Sequence, residues 1–152
     1  MEQKVSVKAQ KYWNLEQPLE AGRLIYEHLP KEGRPIWAAK ILQKVLYLVP
    51  KTMEIEAIFE IVNDPSRWCE AHDVFMTIRS VTLRTQDPLY LNILELAEIV
   101  AKVTYNSGEC PAPFDHNSGW KLAKTLKSII RQIDDPLFTD KMWLIFFEEN
   151  KN

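Results

Sequence analysis

The sequence predicts an all-α fold, with about seven helices in a single compact bundle or a short solenoid-like stack of antiparallel helices. Three observations predict it. Apolar residues recur at i, i+3, i+4 and i+7 along most of the chain, the period of a helix with one buried face. The nine prolines fall mostly between apolar runs and only four glycines are present, a pattern that punctuates helices better than short strands. Finally, an aspartate–proline pair stands before an apolar periodic run three times, at Asp64-Pro65, Asp87-Pro88 and Asp135-Pro136. Aspartate caps the N–H groups that open a helix, and proline fits the first turn, where its missing N–H is not needed.

Taken in order, residues 1–17 form an N-terminal arm, in which Val5 and Val7 alternate with polar residues and allow a short strand or an extended segment. Residues 18–152 form one helical domain. Its first helix spans Pro18 to His28, with Ala21, Leu24, Ile25 and His28 facing inward, and Leu29-Pro30 closes it because a residue before proline avoids helix. A second helix spans Pro35 to Val49. Its polar stripe is confined to Lys40, Gln43, Lys44 and Tyr47, so it should be central in the fold. A third covers Thr52 to Asn63 and buries Ile55, Ile58, Phe59 and Val62.

The three aspartate–proline signals then start the fourth helix (Pro65 to Arg84), the fifth (Pro88 to Tyr105) and the seventh (Pro136 to Glu149). Trp68, Ala71, Phe75, Ile78 and Thr82 share one face of the fourth. On the fifth, Ile93, Leu96, Ala97 and Val100 point inward, while Asn92, Glu95 and Lys102 point outward. Residues 106–117 make a long loop with a polyproline-like stretch at Pro111-Ala112-Pro113. The sixth helix runs from Ser118 to Ile133 on an inner face of Leu122, Leu126, Ile129, Ile130 and Ile133.

Composition narrows the function classes. A 152-residue chain buries roughly 68–70% of its unfolded surface, so its core needs no metal or disulfide as a staple. The formal net charge of −2 gives no global field toward nucleic acid or an acidic membrane. The longest apolar run, Met142 to Phe147, has six residues against the roughly 20 of a bilayer span, and no secretory signal opens the chain. These features predict a cytoplasmic location, in which Cys69 and Cys110 are free thiols. No Gly-rich phosphate loop and no GxSxG elbow is present, so no cofactor is expected.

Several stretches together resemble a family of uncharacterised bacterial all-helical proteins, known only as a domain of unknown function. They are Ala21-Gly22-Arg23-Leu24 followed by Leu29-Pro30, Trp37-Ala38 opening the next helix, Val62-Asn63-Asp64-Pro65-Ser66, and Tyr105-Asn106-Ser107-Gly108-Glu109-Cys110-Pro111-Ala112-Pro113. The chain departs from the family pattern at Glu109 and Cys110. The resemblance implies an all-helical fold and a bacterial source, and it implies no activity.

Four residue sets are candidates for function. The loop presents Pro111, Pro113, Phe114, Asp115 and His116 with low backbone freedom, as a binding loop on a rigid scaffold would. Tyr12 and Trp13 in the N-terminal arm are aromatic anchors for the body or for a partner. Cys69, His72, Cys110 and His116 are the residue types of a mixed metal site or a Cys–His nucleophile. Their spacing matches no metal motif, and the Glu109 carboxylate disfavours a Cys110 thiolate. Lys121, Lys124, Lys127 and Arg131 make the outer side of the sixth helix basic, but no exposed aromatic residues interleave them. The reading that follows is a non-catalytic protein-interaction domain, an adaptor or accessory subunit of a bacterial multiprotein system. Its partner is another protein, not nucleic acid or membrane. A small metal- or thiol-dependent enzyme built on the Cys–His set is the alternative.

Overall fold

The periodic runs form six packed helices in the computed structural model, which describes residues 7–8, 11, 17–49, 53–114 and 118–137. They are α1 (Pro18–His28), α2 (Arg34–Val45), α3 (Met53–Val62), α4 (Ala71–Thr82), α5 (Pro88–Ser107) and α6 (Ser118–Ile133). The described residues contain no strand. Val7, Lys8 and Lys11 are helical, which corrects the extended reading at those residues, while Val5 lies outside the described residues; two valines are too few to define a period. The seventh helix lies outside the described residues apart from Pro136 and Leu137, which are helical.

All three aspartates cap as their position predicts. Asp64 accepts from the Ser66 N–H at 3.2 Å, Asp87 from Leu89 N–H at 3.0 Å, and Asp135 from Leu137 N–H at 3.0 Å. After Asp64 the chain does not enter an α-helix at once. Pro65–Glu70 is a 3₁₀ segment, and this tighter winding places Trp68 against the end of α3, where its Nε1–H donates to Val62 O at 3.1 Å. The end of α2 tightens in the same way, into a 3₁₀ turn at Leu46–Leu48.

The central position belongs to α5, not to α2. At 20 residues α5 is about 30 Å long, and it packs on α2, α3, α4 and α6. It meets the burial by satisfying its own polar groups: the Thr104 and Ser107 hydroxyls donate to the carbonyls of Val100 and Val103, one turn back. The narrow polar stripe of α2 stays exposed as predicted, but Ile36 is exposed too, so α2 is covered on fewer sides. His28 also departs from its predicted inner face. It is exposed at the end of α1, while Ala21 and Ile25 are fully buried. First and last described helices, α1 and α6, pack on one another, so contacts are not confined to neighbours in sequence.

Candidate functional site

The sequence after α5 folds back onto the helix that precedes it, and four ties hold it there. Cys110 is joined to Cys69 of the 3₁₀ segment by a disulfide, with Cα atoms 5.5 Å apart. The Tyr105 hydroxyl donates to the carbonyl of Pro111. Asn106 clamps the backbone of Phe114 twice: its Oδ1 accepts from Phe114 N–H at 2.8 Å, and its Nδ2 donates to Phe114 O at 3.1 Å. The Phe114 ring then packs on Phe75, Tyr105 and His72, at centroid distances of 4.9, 5.3 and 5.6 Å. Gly108 makes the approach possible. A Cβ there would lie 3.1 Å from Cys110 Sγ and 3.2 Å from Trp68 Cβ, tighter than ordinary contacts.

These ties leave Pro111, Ala112 and Pro113 exposed on a stiff arch. Ala112 at its apex has φ of 53°, a left-handed conformation that costs an L-residue about 1–2 kcal/mol. The surrounding bonds hold the backbone in it.

The structure thus brings Cys69, His72 and Cys110 of the predicted set to one end of the fold. It corrects the reading of two free thiols: among the described residues no cysteine is free. The two segments lie 41 residues apart in sequence, and only the packing of α4 along α5 shows that their ends meet. With the sulfurs joined, neither is a thiolate, the form that binds metal or attacks a substrate. His72 is exposed and stacked on Phe114, with 18° between the ring planes. Phe114 is half-buried and holds the arch to the body. Tyr12, Trp13, Asp115 and His116 lie outside the described residues.

A second site, a charged cleft of about 420 Å³, is formed by α5 and α6 with α4 and the start of α1 at its edges. Asn92, Glu95 and Lys102, predicted to point outward from α5, line it together with Lys121 and Lys124 of α6. Arg79 and Glu98 close one side. Glu98 is 5% exposed, and its carboxylate is held from α4: Thr82 Oγ1 donates at 2.6 Å and Arg79 Nη1 at 3.2 Å. Burial pushes the Glu95 carboxyl above its ordinary range; Glu98 nearby adds to the shift and Arg79 opposes it. Lys127, predicted on the outer basic side of α6, is buried instead. It sits at the margin of the apolar face beside Leu126 and Ile130, where a lysine stem can cover apolar surface.

Sequence reasoning missed the cleft because each contributor reads as a solvated helix face when taken alone. The usable signal was Glu98, an acid inside the otherwise apolar run Leu96-Ala97-Glu98-Ile99-Val100. A buried acid needs a donor, and Arg79 and Thr82, one turn apart on the preceding helix, are the donors it finds. Among the described residues no group of three or more metal-ligating side chains converges, and no helix is long and apolar enough to cross a membrane. Comparison of the chain with protein-family models, with curated proteins and with solved structures finds no match.

Proposed function

We propose that this chain is a non-catalytic protein-interaction domain, an adaptor or accessory subunit of a bacterial multiprotein system. One observation carries the reading: an exposed arch, Pro111 to Pro113, fixed to the body by the disulfide, Tyr105, Asn106 and Phe114. A loop already ordered before binding loses little entropy when a partner docks, so its contacts count more fully toward affinity. Prolines add to this, since their φ is fixed in the free state. The bacterial assignment rests on the family resemblance of the sequence segments.

A crosslinking pull-down from the native host tests the reading, with three baits: wild type, a chain lacking residues 1–16, and Pro111→Ala/Pro113→Ala. The expected result is a specific partner that the proline variant loses or retains only weakly. The same proteins recovered equally by all three baits would remove the arch as a docking element. Loss with the truncated bait alone would move the contact to the arm carrying Tyr12 and Trp13.

A further inference from the structure

The cleft between α5 and α6 has a charge balance that the rest of the chain does not share. The whole chain carries a formal net charge of −2. The cleft gathers four cationic side chains, Arg79, Lys102, Lys121 and Lys124, against two carboxylates, Glu95 and Glu98. Glu98 is already committed to Arg79 and Thr82. Among the described residues, no carboxylate forms an ion pair with Lys102, Lys121 or Lys124. Lys102, Lys121 and Lys124 thus line one concavity without an ion-paired carboxylate among the described residues.

The three lysines come from the two helices that form the cleft. Lys121 and Lys124 are i, i+3 neighbours on α6 and project from the same side. Lys102 approaches from α5 and is held over the Phe75 and Phe114 rings, 5.2 and 5.7 Å from their centroids. Two walls bearing ammonium groups suit a compact dianion, for which lysine serves as a point charge. The remaining lining is neutral. Asn92 donates to Ser128 Oγ at 3.1 Å across the two helices, and Leu19 and Ile99 add apolar surface. A volume of about 420 Å³ lies in the range that holds a small organic molecule.

We infer that this cleft binds a small phosphate-bearing molecule, with Lys102, Lys121 and Lys124 around the phosphate and Asn92 and Ser128 facing its uncharged part. A nucleic-acid backbone fits less well. Glu95 and Glu98 interrupt the basic lining along which a succession of phosphates would have to lie.

The test uses the whole chain with inorganic phosphate and glucose 6-phosphate as probes, titrated by calorimetry and by thermal shift at constant ionic strength. The variants are Lys121→Ala/Lys124→Ala, and Lys44→Ala, whose lysine is exposed on α2 outside the cleft. Saturable binding is expected for both probes, tighter for the sugar phosphate. The double variant should weaken it by roughly tenfold or more, while Lys44→Ala leaves it unchanged. Absence of saturable binding by wild type would overturn the inference, as would equal binding by the double variant. A short DNA duplex that binds with the same lysine dependence while neither probe does would also overturn it, in favour of a polymer surface.

Discussion

The Cys69–Cys110 bridge gives the strongest handle on stability. It closes a segment of 41 residues that contains all of α4 and α5, so it restricts the unfolded chain far more than it restricts the folded one. The chain-entropy relation for a loop of that length gives about 4 kcal/mol at 25 °C. The folded state should change little when the bridge is absent, because Tyr105, Asn106 and Phe114 still hold the loop. For a domain of this size each kcal/mol shifts the melting temperature by about 2–4 °C, so a loss on the order of 10 °C is expected. The assay is urea unfolding followed by tryptophan fluorescence and circular dichroism, on the oxidised chain, the reduced chain and Cys69→Ser/Cys110→Ser. Intact-mass measurement should find the oxidised chain two hydrogens lighter than the reduced one. Reduced chain and double variant should agree with each other and lie below the oxidised chain in midpoint. Two free thiols by mass under non-reducing conditions would refute the reasoning at its base. Midpoints that coincide across all three would refute the entropic account.

Three further outcomes follow from the buried polar groups and the clamp. Thr82→Val keeps the side-chain shape and removes the hydroxyl that donates to the Glu98 carboxylate at 2.6 Å, so it should destabilise the fold by about 1.5–3 kcal/mol in denaturant unfolding. A change below about 0.5 kcal/mol would mean that Arg79 alone satisfies Glu98. Glu95→Gln should stabilise the chain near neutral pH and leave it unchanged near pH 4. The folded-state pKa of Glu95 is raised, so the folded chain binds the extra proton; stability is greatest below the unfolded pKa and falls as pH rises through the folded value. Glutamine mimics the protonated form, and a wild-type-minus-variant difference independent of pH would contradict that sign. Asn106→Ala removes both hydrogen bonds to the Phe114 backbone and should cost about 1–2 kcal/mol, with faster amide exchange at Phe114. Unchanged exchange there would show that the ring packing of Phe114 suffices.

The helices were legible because their signals are local. Asp64, Asp87 and Asp135 each name a helix start by a cap that needs only the next two residues, and all three caps form. The bounds of α1 follow from Pro18 at its first position and Leu29-Pro30 past its end, and the start of α6 from Ser118. What was not legible depends on which helix faces which. The pairing of Cys69 with Cys110 requires that the segments flanking α4 and α5 meet, and no periodicity within either helix encodes that. Lys127 misled for the same reason: its place on the helix wheel is marginal, and the neighbours decide whether a marginal stem is covered. His28 failed at a helix end, where the burial pattern of a periodic run no longer holds.

Both candidate sites trace to one stripe of α5. Asn92, Glu95, Ile99, Lys102 and Asn106 recur at alternating spacings of three and four, and so lie along a single face of the helix. Read alone, that face is polar enough to be solvent-facing. In the fold its first four members line the cleft, while Asn106 at its far end clamps Phe114. Lys102 belongs to both places: it lines the cleft, and its ammonium group sits over the ring of Phe114. The central helix therefore packs on α2, α3, α4 and α6 as the core of the domain and carries this polar stripe along the flank that lines the cleft. A stripe that serves only solubility needs no inward acid beside it, yet Glu98 is buried next to this one and tied to α4 by two donors. A buried acid of that kind costs stability unless its donors are fixed, and here the donors also fix Arg79 at the edge of the cleft. The arrangement is what a positioned charge looks like, in a region where an apolar residue would have packed more simply.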